Sequence, residues 1–211
     1  LAKRLEKTAF YEKYKTEQEK NQSGEYTELT PVQLIERYLI ARDSIEREEM
    51  KGNPRGVAEF KLRMGVDMVT LANNHVYDFQ GDAFNDMLDA LDEKGLPHIG
   101  AGHNLEEAKR AYYYEAPSGQ TIAFVNASRA EKWGIDTPGA TETSGGILLC
   151  YDTTEFVDAI RTAKENADIV VAIVHWGTEL SHNLEQVQID TAREYIDAGA
   201  DMIVGGHAHT L

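Results

Sequence analysis

Cysteine is almost missing from this chain. Cys150 is the only one in 211 residues, so neither an intrachain disulfide nor a thiolate metal cage can form. Basic residues are scarce beside acidic ones: 21 Lys and Arg against 36 Asp and Glu give a formal net charge of −15. Gripping nucleic acid needs clustered Lys and Arg, so nucleic acid is excluded as a partner. The same charge disfavours anionic membranes and polymers unless metal ions or a local basic patch offset it. Long apolar runs are missing too. No charge-free stretch reaches the roughly 18 residues of a membrane helix, and the opening Leu1-Ala2-Lys3-Arg4 has no apolar signal core. What is present is ordinary globular composition, 42% hydrophobic and 9% aromatic, which excludes intrinsic disorder. The length suits one domain, or a domain with an appendage. A chain that starts at Leu and stops at Leu211 reads as an excerpt of a longer protein.

Two regions differ in texture. Residues 1–58 are charged and helix-prone, with a helix start at Thr30-Pro31-Val32-Gln33 and an apolar stripe of Leu34, Ile35, Tyr38 and Leu39. The segment reads as a solvated helical region, possibly inserted, ahead of a second region spanning residues 59–211. There, apolar runs at 68–72, 122–125, 169–174 and 202–204 read as buried strands. Amphipathic helices are expected at 82–94, 155–165 and 184–198. Strand–helix–strand alternation implies parallel pairing and a layered α/β core flanked by helices.

Three of these units rhyme. Asp67, Asp168 and Asp201 each open an apolar run, and the runs end in Asn73-Asn74-His75, His175-Trp176-Gly177 and Gly206-His207-Ala208-His209. Ligands of open α/β sheets bind beyond the carboxyl ends of the strands, so these three exits can share one site. The chain has seven histidines (His75, His98, His103, His175, His182, His207 and His209), and four lie at these exits. His207 and His209 flank one residue, so an extended backbone would point them to the same side. Neutral imidazole with carboxamide or carboxylate oxygen suits Zn, Mn, Fe or Ni. One such histidine is ordinarily a buried, hydrogen-bonded side chain; four at three exits point to metal.

The segments Leu71-Ala72-Asn73-Asn74-His75-Val76-Tyr77-Asp78, His98-Ile99-Gly100-Ala101-Gly102, His175-Trp176-Gly177-Thr178-Glu179 and Gly206-His207-Ala208-His209, in this order, resemble the CapA family. That family serves poly-gamma-glutamate capsule biosynthesis and belongs to the calcineurin-like metallophosphoesterase superfamily. The resemblance covers residues 59–211. It implies a layered metallophosphoesterase-like sheet, incomplete as given at both ends, and two divalent ions about 3.5–4 Å apart that activate water for attack on a phosphoester. It assigns Asn74, His175 and His207 to the second metal and His209 to the first. His75 becomes the general acid or phosphoryl-stabilising residue, oriented by Asp78. The superfamily pattern also has an Asp on its first strand, Gly-Asp in this family, and a further ligand segment before Asn74. Residues 1–64 hold neither, so these elements lie upstream of Leu1 or the centre is degenerate. Where many superfamily members carry an acid directly after the motif His, this chain has Val76, with Asp78 two residues on, as in the capsule family.

The resemblance further implies an extracytoplasmic, membrane-associated protein acting on an anionic polymer or phosphoester beside membrane synthase partners. The alternative is a non-catalytic scaffold of the synthesis complex with a degenerate metal site; a general phosphomonoesterase or nucleotidase comes third. Other residues have plainer readings. Glu179 and His182 are either substrate contacts or an exposed loop pair, and His98 is a satisfied buried histidine. Gly100-Ala101-Gly102 is a tight turn rather than an anion loop, and Tyr112-Tyr113-Tyr114 an alternating strand. Arg129, Lys132 and Trp133 form a basic loop.

Overall fold

A computed structural model describes residues 54–63, 65–129 and 137–210. The helix start at Thr30-Pro31, the Leu34-to-Leu39 stripe and the loop residues Lys132 and Trp133 lie outside the described residues. The chain divides into two compact units, Leu1–Asp67 with Asp89–Leu96, and Met68–Leu88 with Pro97–Leu211.

In the first unit, α1 (Pro54–Arg63) starts on proline, whose missing N–H costs nothing at a helix start. It ends where Gly65, at φ 74°, takes the left-handed conformation that closes helices. Gly65 N–H then donates to Leu62 O at 2.9 Å and Val66 N–H to Lys61 O at 3.1 Å. The second half of α2 (Gln80–Lys94) belongs to this unit. There Glu93 accepts two bonds from the Arg55 guanidinium, at 2.6 and 2.9 Å.

The second unit is built on a four-stranded sheet in the order β4-β5-β7-β8. The strands β5 (Thr121–Ser128), β7 (Ile169–Trp176) and β8 (Met202–His207) run parallel, as the alternation of elements predicts. Strand β4 (Tyr112–Glu115) departs from that expectation: it folds back antiparallel on β5 through a turn at Gly119, φ 85°. Its tyrosines do not alternate in burial either. Tyr112 is half-buried while Tyr113 and Tyr114 are both exposed, because an edge strand has a neighbour on one side only. Two short pairs complete the unit, β1 (Val69–Thr70) parallel to β2 (His98–Ile99), and β3 (Ala101–Gly102) antiparallel to β6 (Gly146–Ile147). A short helix α3 (Leu105–Ala108) follows β3, capped by the Asn104 side chain.

The two long helices of this unit are α4 (Thr154–Glu165) and α5 (Gln186–Ala198). Alternation along β5 and β7 sends Ala123, Val125, Ala127, Val170, Ala172, Val174 and Trp176 to one face, where they join Phe156, Ile160 and Ala163 of α4 and Tyr195 of α5 in a single buried cluster. Burying each large side chain there stabilises the fold by about 1.5–3 kcal/mol. Tyr195 meets Phe156 edge-on at 4.9 Å and stacks on Trp176 at 6.0 Å.

Two of the three rhyming aspartates, Asp168 and Asp201, have a structural task. Asp168 accepts from Thr121 N–H at 2.8 Å. Asp201 accepts from Val170 N–H at 2.8 Å and from the Lys164 ammonium at 2.9 Å. Both carboxylates thus satisfy N–H groups at the starts of neighbouring strands, at the end opposite the histidines. Before Asp201, Gly199 ends α5 at φ 119°, with Ala200 N–H donating back to Tyr195 O at 3.0 Å.

Candidate metal centre

The register decides which histidines meet. His175 pairs with Ser128 on one side and Gly206 on the other, and Trp176 pairs with His207. The carboxyl ends of β5, β7 and β8 therefore finish level. Packing is close along β8: a Cβ on Gly205 would stand 3.0 Å from the Trp176 indole nitrogen and one on Gly206 3.3 Å from His175 Nδ1. The loop after β1 brings Asn74, which is buried, against His175, with Asn74 Oδ1 and His175 Nε2 3.0 Å apart.

The rest of the cluster follows. The rings of His175 and His207 lie 4.8 Å apart, and those of His207 and His209 6.4 Å apart. The argument that His207 and His209 share a side needs an extended backbone. Here both take positive φ, 86° and 54°, so strand alternation stops at His207 and the 6.4 Å approach comes from the bend. His75 is exposed, and its Nδ1 lies 3.1 Å from Asp78 Oδ2. An ionised carboxylate only accepts, so Asp78 fixes the proton on Nδ1.

Burial, reinforced by the neighbouring imidazoles of His207, His75 and His209, pushes the His175 pKa down to about 4. Burial also lowers that of His207, against an opposing pull from the Glu179 carboxylate. Both rings are therefore neutral near pH 7, the form in which imidazole binds a metal. Asn74 Oδ1 can only accept, so the 3.0 Å contact is a hydrogen bond donated by His175 Nε2. The donor set fits a borderline divalent ion such as Zn, Mn, Fe or Ni. Among the described residues, no three His, Cys, Asp or Glu side chains close into a complete cage.

Beside His209 a cavity of about 250 Å³ opens, lined by Trp176, Thr178, Ser181, His182, Asn183 and Gln188 among others. Of the two loop residues with open readings, His182 lines this cavity while Glu179 acts on His207. Gln188 was not legible as a site residue: it belongs to a capping box with Glu185 at the start of α5, and it is buried. The signal was there as Glu185 followed three residues later by Gln188.

The remaining candidates have other places in the fold. His98 sits half-buried rather than buried in the two-residue β2, whose exposure a strand flanked on one side leaves open. Gly100 makes the expected turn at φ 85°, and Ala101 and Gly102 continue into β3. The adjacent His103 N–H is taken by the Glu107 carboxylate at 2.9 Å. Arg129 donates from Nη1 to Tyr151 O at 3.1 Å and lies over the Tyr151 ring, so it holds the segment after β6.

Residues 42–211 match the family described as bacterial capsule synthesis protein PGA_cap. The chain belongs to that family. Its relatives include the PGA biosynthesis protein CapA of Bacillus subtilis, 35% identical over 70% of this chain and 38% of the relative. The capsule biosynthesis protein CapA of Bacillus anthracis is 35% identical over 70% of this chain and 36% of its own length. A Mycobacterium tuberculosis protein named as a polyglutamine synthesis accessory protein is 27% identical over 66% of this chain and 38% of its own. The PGA_cap chain thus spans a little over a third of the length of these relatives.

Proposed function

We propose that this PGA_cap chain carries the metal-dependent phosphoesterase-type centre of a protein that acts in synthesis or export of a poly-gamma-glutamate capsule or similar surface polymer. The observation that carries the reading is the meeting of Asn74, His75, His175, His207 and His209 at one end of the sheet, with Asn74 and His175 3.0 Å apart. The names of the relatives supply the polymer.

Asn74, His175 and His207 would hold one divalent ion and His209 a second. Bound there, the ions supply Lewis-acid polarisation and an activated water. The chain's own residues do the rest. Asp78 accepts from His75 Nδ1 and orients the ring, so His75 would act at the leaving oxygen as the acid or phosphoryl-stabilising residue. His175 and His207 stay neutral, the form in which imidazole binds a metal. The cavity beside His209 receives the substrate chain. A net charge of −15 repels a polyanion, and divalent ions at the sheet end offset part of that locally. The partners are the anionic polymer or a phosphoester and the membrane synthase complex, at the extracytoplasmic face. Among the described residues no helix is long and apolar enough to cross a membrane.

A scaffold with a degenerate site is the second reading, favoured by the absence of a closed cage among the described residues. Metal content of the purified full-length protein separates the two. Two equivalents of a transition metal, lost in a His207→Ala/His209→Ala variant, together with aryl-phosphate hydrolysis lost in His75→Ala, support the enzyme. One equivalent or none, without hydrolysis, supports the scaffold.

A further inference from the structure

We infer that Asn126, a residue on a strand that supplies none of the metal-binding side chains, is the positioning residue that sets the Asn74–His175 pair. The inference deepens the function proposed above and rests on it for the role of the metal. Asn126 lies in the middle of β5 and is 3% exposed. Strand alternation places it on the face shared with Ile173 and His175, opposite the apolar cluster under α4 and α5. Its carboxamide is spent in two directions: Oδ1 accepts from Ala72 N–H at 2.8 Å, and Nδ2 donates to Ile173 O at 3.0 Å.

Each bond falls two residues before one member of the pair, Ala72 ahead of Asn74 and Ile173 ahead of His175. The strands β1 and β7 belong to different sheets, so no backbone ladder connects them. The Asn126 amide bonds the segment just after β1 directly to β7, alongside the backbone route from Gly100 O through Leu148 to Ser128 N–H. The chain around it is shaped to admit it: Gly100 stands at φ 85°, and a Cβ there would come within 2.3 Å of Asn126 Oδ1 and 2.8 Å of Ala72 Cβ. Loss of the side chain leaves Ala72 N–H, on a residue 2% exposed, without this acceptor, and frees the β1 loop to shift against β7.

The test uses full-length protein with Co²⁺ as the metal probe, comparing the parent with Asn126→Ala, Asn126→Asp and Ile160→Ala. Ile160 is buried on the helix face and serves as a destabilised control. The expected result is a loss of Co²⁺ affinity of about 10–100-fold in Asn126→Ala, the range for residues that orient metal ligands. A changed visible absorption spectrum should accompany it. Asn126→Asp keeps an acceptor for Ala72 N–H but offers Ile173 O no donor, so it should also weaken binding, while Ile160→Ala keeps the parent spectrum. In metal-free protein, the ¹⁵N shifts of the His175 ring should move in Asn126→Ala toward those of Asn74→Ala. Unchanged affinity and spectrum in Asn126→Ala, or equal losses in Ile160→Ala, would overturn the inference. A parent that binds no Co²⁺ overturns the proposed function instead, and unshifted His175 nitrogens in Asn126→Ala overturn the positioning role whatever the metal result.

Discussion

The two faces of β5 and β7 come from the same alternating stretches and solve opposite problems. On the helix side, Ala123, Val125, Ala127, Val170, Ala172 and Val174 disappear under α4 and α5, and the packing is apolar, with Cys150 buried in it. On the other side, polar groups must be satisfied one at a time: Asn126 by Ala72 N–H and Ile173 O, Ser128 by His175 O, and His175 by Asn74. The comparison teaches that stability and metal chemistry are separable here. The first resides in area removed from water, which tolerates small shifts, and the second in a few distances, which do not.

That separation can be broken or sharpened by substitution. Phe156→Ala, which empties space on the helix face, should cost about 3–5 kcal/mol in urea unfolding, and any folded fraction should bind metal as the parent does; a loss of affinity in that fraction would mean the faces are coupled. His175→Ala should act in reverse. A loss of at least about 100-fold in metal affinity, near 2.8 kcal/mol, is expected by calorimetry with little change in melting temperature. Asp201→Asn tests the strand-start carboxylates. The Lys164 ammonium, and then the Val170 N–H, hold the Asp201 carboxyl below its ordinary value. Its contribution is therefore present above about pH 4 and is lost as pH falls through the lowered folded value. The side chain is 44% exposed, so screening keeps the effect below about 1 kcal/mol. Unfolding at pH 7 and at pH 2–3 should differ less in the Asn variant than in the parent. Tyr195→Phe should be the mildest. The Tyr195 hydroxyl has no hydrogen-bond partner among the described residues: its neighbour Thr191 donates to Val187 O instead, and Cys150 lies beside it without bonding geometry. Its removal is expected within about 0.5 kcal/mol of neutral, or stabilising.

Much of this was legible beforehand. The strands around residues 122–125, 169–174 and 202–204 are seen where the apolar runs place them, longer by a few residues at their ends. The helices begin and end within two residues of expectation. The run at 68–72 shrinks to the two-residue β1, because its one strand partner, β2, is equally short. The histidines were legible as a group because four of seven fall at strand exits. Asn126 was not: a single amide in an apolar run looks like a weak strand residue until the fold supplies Ala72 and Ile173. Nor were β3 and β6 legible, since two residues carry no period.

By itself the sequence determined the α/β class, the parallel core strands, the exclusion of thiolate metal sites and the family, because periodicity, composition and motif order are properties of neighbours along the chain. Only the tertiary structure decided that Asn74 lies 3.0 Å from His175, 101 residues away, that His207 and His209 meet through a bend, and that Asn126 joins the two strands. These are distances between residues remote in sequence, and they are fixed by sheet register and by which buried polar groups find partners.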